Sequence, residues 1–325
     1  MITVASALCT SVISTAVLLV VASTGWQSFK PISEDCHENY LTEPNCFCER
    51  PRGEEPGDVW FAQPANTASN SAFVVIGLLI ALSCDLKLPG QCWEKENGFT
   101  SSRGYGILLS CVVCLMGPGS AALHASLTVM GRRVDQFCMY LIGAFLMPYS
   151  ATRKRRNFSF KTFVALYAAI NLPLLILTIL SPNTGVKRLM FTLLLVMTIV
   201  IEAWHKILGP LYQKRILCES GCAVKDTANG WYMVAALGCV LLAVAIWIPS
   251  KSGGPLCFPD SWFQGHAVWH VLTACSIGFI FLYGISADET PDLPLLGEVP
   301  QAEPPSDFKE CDLSVTGSTS IVVEA

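Results

Sequence analysis

The segment Gln264-Gly-His-Ala-Val-Trp-His-Val-Leu-Thr-Ala-Cys-Ser-Ile-Gly-Phe-Ile-Phe-Leu-Tyr-Gly-Ile-Ser286 decides the fold. It carries no Asp, Glu, Lys or Arg over a length close to the roughly 20 residues that a helix needs to cross a bilayer. Its apolar character is continuous rather than alternating. That argues against a β-barrel strand, the other backbone arrangement that satisfies its own hydrogen bonds in lipid. His266 and His270 stand four apart, so a helix puts both on one face, about 6 Å apart along its axis.

Six further segments of this kind precede it: about Asn66–Cys84, Tyr105–Ser126, Val134–Ala151, Phe160–Leu180, Leu189–Leu208 and Trp231–Ile248. Their short connections predict an all-α, polytopic seven-transmembrane bundle over residues 66–286. An additional apolar segment, about Val4 to Gly25, lies within residues 1–26 and reads as a signal peptide or as a membrane anchor. Residues 27–65 form a segment outside the cytosol. Residues 287–325 are acidic, rich in proline and without apolar periodicity, which predicts a disordered cytosolic tail. Bulk composition agrees: 52% of the 325 residues are hydrophobic and 14% charged, against roughly a quarter charged in soluble domains. No basic run is interleaved with aromatics, so nucleic acid is excluded as a partner and the bilayer is the expected one.

Basic loops set the orientation. Arg153-Lys-Arg-Arg156 with Lys161, and Lys206, Lys214, Arg215 and Lys225, fall on one side of a seven-span bundle and are read as cytosolic. Ser120, His124, Asp135, His266 and His270 then all arrive in the opposite, lumenal half. Ionisable groups there are costly and mark functional sites. Three imidazoles suit zinc, which takes nitrogen at about 2.0–2.1 Å and keeps a fourth position for water in catalytic sites. Zinc polarises a carbonyl and lowers the pKa of its water to about 7. Asp135 is placed to move a proton and Ser120 to stabilise an oxyanion. The structural alternatives are a packing serine beside Gly117 and Gly119, and an ion pair of Asp135 with Arg132 and Arg133. His205 at a cytosolic helix end and His37 in a loop are read as uninvolved.

Among the 15 cysteines, Cys36, Cys46, Cys48 and Cys257 are lumenal on this topology, where disulfides persist. Of the three possible pairings, Cys48–Cys257 with Cys36–Cys46 clamps the N-terminal segment over the mouth beside the last span.

The set Ser120-x-x-x-His124, Asp135 and His266-x-x-x-His270 resembles the signature of the alkaline ceramidases. Their superfamily includes progestin and adipoQ receptors and hydrolases that remodel GPI lipids. Cys48-Glu49, Asn66-Thr67 with Ser69-Asn70, and Gly265-His-Ala-Val-Trp-His270 bring the wording closest to the ceramidases, and the likeness covers about Cys46 to Ser286. The resemblance implies a zinc amidase that hydrolyses the N-acyl bond of ceramide to a sphingoid base and a fatty acid. His124, His266 and His270 would hold the zinc, with Asp135 and Ser120 as catalytic groups. It also implies a calcium site before the first core span. Glu49 fits that site, whereas Cys46 stands where an aspartate is expected and Gln63 where a glutamate is. The expected location is the endoplasmic reticulum, Golgi or plasma membrane. The rival readings are a zinc-dependent ester hydrolase of phospholipid or GPI lipid, and a seven-helix receptor with structural zinc.

Overall fold

The computed structural model describes residues 2–23, 46–52, 61–87, 97–153, 158–181, 183–208 and 228–287. Cys36, His37, the basic residues 154–156, 214, 215 and 225, and the tail from 288 lie outside them. The described chain is helical. In order it forms α1 (Ile2–Ser23), α2 (Pro64–Ser69), α3 (Ser71–Leu86), α4 (Gly98–Ser101), α5 (Arg103–Ser126), α6 (Val129–Thr152), α7 (Phe160–Leu180), α8 (Thr184–Ala203, continued by a wider π turn over Trp204–Leu208), α9 (Gly230–Trp247) and α10 (Gly265–Ser286).

Among the described residues, six stretches are long and apolar enough to cross a membrane: Ile2–Val21, Pro64–Leu86, Arg103–Ser126, Phe160–Leu180, Gly230–Trp247 and Gly265–Ser286. The two other expected spans form helices α6 and α8, whose composition falls short of that standard. Arg132, Arg133, Asp135 and Gln136 stand in the first turns of α6, and Lys187, Arg188 and Glu202 lie in α8. Both still pack into the bundle, α6 against α5, α7 and α8. Two of these polar groups, Lys187 and Glu202, are matched inside the bundle. Lys187 Nζ donates to the Thr178 carbonyl at 2.9 Å.

The first core span is not one continuous helix. The Asn66 carbonyl accepts from the Ser69 hydroxyl and from Asn70 Nδ2, both at 2.8 Å. Asn70 N–H turns instead to the Thr67 carbonyl at 3.3 Å. Side chains that compete for a helix carbonyl break its ladder, and here they divide α2 from α3.

Helix α5 lies at the centre, with α1, α3 and α6 packed on it, while α9 and α10 form a close pair. Packed aromatics, Phe99, Tyr105, Phe145, Tyr149, Phe163 and Phe281, fill the core toward the end remote from the histidines. At that end Arg153 makes a forked pair with Glu202 (Nε–Oε1 3.1 Å, Nη2–Oε2 2.9 Å). Tyr283 Oη donates to the same carboxylate at 2.9 Å. The network ties α6, α8 and α10 together.

Helix α1 is integrated into this bundle. Asp85, at the end of α3, accepts from the Thr3 and Val4 amides at 3.2 and 2.9 Å. Those first-turn amides have no partner within their own helix, and a carboxylate there also suits the helix dipole. Ala7 is fully buried against Ala81 and Cys114, a seam of small residues that lets helices approach closely.

Two outcomes are expected. Intact-mass measurement of the membrane-extracted protein should include residues 2–23; a mature chain beginning beyond Ser23 would contradict the packing. Arg153→Ala should cost about 3–5 kcal/mol by leaving the Glu202 charge buried without its partner. A drop in detergent unfolding temperature reads that loss.

Candidate metal centre

The site begins with the hairpin between α5 and α6. Leu127 closes α5 in the left-handed region (φ 49°), and Thr128 opens α6 by accepting from Gly131 N–H at 3.0 Å. A Cβ at Gly131 would sit 2.6 Å from the Ala122 carbonyl oxygen, so only glycine permits this approach. Higher in the same seam Gly119 lies against Cys138. The two helices are thereby held with Ser120 opposite Asp135, and the Ser120 hydroxyl hydrogen-bonds the Asp135 carboxylate. Arg132, one turn before Asp135, is a countercharge to it.

One turn beyond Ser120, His124 faces His266 and His270 of α10. The ligand atoms of the three rings all lie within 4.8 Å of one another. Nε2 of His124 and Nε2 of His266 are 3.2 Å apart. Ring centroids are separated by 4.9 Å (His124–His266), 5.1 Å (His124–His270) and 4.6 Å (His266–His270). His124 and His270 are buried and His266 is half-buried. Three nitrogen donors closing on one point from two helices fit a single borderline-soft divalent ion.

A strap covers the cluster. Phe47 lies on both His124 and His266, with centroids 4.6 Å from each. Its neighbour Cys48 is bonded to Cys257, Cα to Cα 5.5 Å, across a sequence separation of 209. Cys46, on the other side, is also disulfide-bonded; its expected partner, Cys36, lies outside the described residues. The Arg50 amide donates to the Pro259 carbonyl at 3.0 Å, and Arg52 stacks over Trp262. Gln264 pins the far side by donating from Nε2 to the Phe258 and Ser261 carbonyls. The Arg50–Asp260 ion pair at 3.0 Å is solvent-exposed and adds little.

Glu49 has a role that the sequence did not reveal. Its two oxygens accept from the Ala65 and Asn66 amides at 2.7 and 2.8 Å, capping α2. Burial raises its pKa, and the two amide hydrogen bonds oppose that rise. With both oxygens on backbone, Cys46 in a disulfide and Gln63 neutral, the described residues do not assemble a calcium site here. Gln63, read from the sequence only as a departure from the calcium pattern, and Ser69 both contact the histidines, which the sequence does not reveal. Gln63 Oε1 lies 3.0 Å from His124 Nδ1, and Ser69 Oγ lies 2.8 Å from His270 Nδ1. The polar run Asn66–Asn70 was the available signal. Through Ser69 this run reaches the histidine cluster across the helix interface. His205 bonds the Ser150 carbonyl at 3.1 Å, away from the site.

Comparison with known proteins decides the family: residues 59–292 match the family model described as Ceramidase. The chain belongs to the ceramidase family. It is therefore a membrane hydrolase acting on the amide bond of ceramide. No curated protein matches it. The matched range holds Ser120, His124, Asp135, His266 and His270, whereas the strap from Cys46 to Arg52 precedes it.

Cys257→Ser should destabilise the ceramidase by roughly 2–5 kcal/mol and release Phe47 from the histidines. Thermal unfolding in detergent under non-reducing conditions measures the loss. An unchanged transition would mean that the strap is held by its backbone contacts alone.

Proposed function

We propose that this ceramidase is a zinc-dependent intramembrane amidase that splits the N-acyl bond of ceramide into a sphingoid base and a free fatty acid. The observation that carries this reading is the closure of three imidazole donors within 4.8 Å, beside a hydrogen-bonded serine–aspartate pair. His124, His266 and His270 would hold the ion. When bound, it would supply a Lewis acid for the amide carbonyl and a water acidic enough to attack near neutral pH.

The remaining chemistry falls to the chain. Asp135 takes a proton from the attacking water and returns it to the amide nitrogen as the C–N bond breaks, leaving amine and carboxylic acid. Ser120 has one hydroxyl proton, directed in the resting site at Asp135. Turned to the carbonyl oxygen, it stabilises the developing oxyanion and frees the carboxylate to accept the water's proton. The helices around the cluster bring a long-chain lipid amide to it from within the bilayer, and Phe47 restricts bulk water.

The disulfide Cys48–Cys257 beside the cluster supports an extracytosolic active site, because such bonds persist in oxidising compartments. The protein is accordingly assigned to the secretory route: endoplasmic reticulum, Golgi or plasma membrane.

The test uses purified protein in detergent with ceramide, ester lipids and zinc analysis. Ceramide should be hydrolysed in preference to phospholipid or GPI-lipid esters. His270→Ala should lose both zinc and activity. Asp135→Asn should keep zinc while turnover falls by about 10²–10⁴-fold. Full activity in Asp135→Asn would remove the proton-transfer role, and bound zinc with no turnover of any amide or ester would favour a receptor.

A further inference from the structure

Two of the three histidines are gripped from behind by one short stretch, Gln63–Ser69, and the direction of each hydrogen bond there is forced. The Glu49 backbone carbonyl can only accept, and it lies 2.9 Å from Gln63 Nε2. The Gln63 amide must therefore point its NH2 group at Glu49 and its oxygen at His124. That oxygen can only accept. Nδ1 of His124, 3.0 Å away, must then carry the proton, which leaves the lone pair on Nε2. Asn66 Nδ2 donates more weakly to the same oxygen at 3.4 Å.

The second chain of reasoning is independent and ends the same way. The Ser69 hydroxyl spends its one proton on the Asn66 carbonyl at 2.8 Å. Its oxygen is then an acceptor toward His270, so Nδ1 of His270 is the protonated nitrogen of their 2.8 Å contact. Nε2 of His270 is again the free donor. His266 has no such partner, and its buried Nδ1 is without one.

We propose that Gln63 and Ser69 are the positioning residues of the metal centre: each fixes the Nδ1–H tautomer and ring orientation of one histidine so that its Nε2 faces the ion. Both are set by the strap, since Glu49 offers its carbonyl to Gln63 and its carboxylate to the amides that open α2. Gln63 also grips His124 through the backbone, its N–H donating to the His124 carbonyl at 3.0 Å. A neutral amide is suited to this place because it can donate to a carbonyl and accept from an imidazole at once. The third ring, with no hydrogen bond at its Nδ1, is the one left to adjust to the ion. The inference rests on the reading of the three histidines as metal ligands.

The test is zinc affinity, measured by chelator competition on the full-length protein in detergent, with the visible spectrum of cobalt-loaded protein as a second readout. Gln63→Met and Gln63→Glu both lose the donor to Glu49, but only Gln63→Glu keeps an acceptor for His124. Gln63→Met should weaken zinc binding by about 10–100-fold and alter the cobalt spectrum, whereas Gln63→Glu should stay near wild type. Ser69→Ala should weaken binding on the same scale and Ser69→Thr should restore it. Should Gln63→Met fail to fold, the serine pair decides the question at His270. Equal zinc affinity in Gln63→Met and wild type, or in Ser69→Ala and wild type, overturns the positioning role while leaving the metal reading intact. A wild-type protein that binds no zinc overturns both.

Discussion

Imidazole nitrogens crowded together in an apolar bundle are the constraint from which the rest of this structure follows. Two Nε2 atoms 3.2 Å apart, with a third ligand atom inside the same 4.8 Å, are a costly arrangement for polar groups in a bilayer unless something is shared between them. A cation held by all three rings would resolve that cost. Much of the local architecture serves the convergence: the glycine-tight hairpin of α5 and α6, the broken helix at Asn70, and the strap fastened at Cys257.

The same geometry separates a histidine end of the bundle from a tightly packed aromatic end. Away from the histidines, aromatic packing and the Arg153–Glu202–Tyr283 network bind α6, α8 and α10 into a fixed frame. At the histidine end the contacts are polar and directional, and each sets the orientation of a ring, a hydroxyl or a carboxylate. Glu49 illustrates the economy of this end: its carboxylate caps α2 and its carbonyl orients Gln63, so one residue supports both the helix and the ligand behind which it stands.

The clustering of the three histidines was legible in the sequence because their spacing is helical and their side chains are expensive in lipid. His266 and His270 share a face by periodicity alone, and Ser120, His124 and Asp135 follow from the expected topology. The Cys48–Cys257 pair was readable for a similar reason, both cysteines falling on one side of the membrane. Gln63 and Ser69 were not legible as site residues, because an amide and a hydroxyl become informative only when their partners are known. The expected count of seven core spans also proved too simple a measure. Charges along α6 and α8 make those helices poor candidates by composition, and their partners lie on other helices that sequence periodicity does not reveal.

Zinc-edge X-ray absorption on the purified protein tests the shared ion most directly. Convergence of the three rings predicts stoichiometric zinc with nitrogen or oxygen neighbours at about 2.0–2.1 Å and the multiple-scattering pattern of three imidazoles. Absence of zinc, sulfur in its first coordination sphere, or fewer than two imidazoles around it would contradict the account.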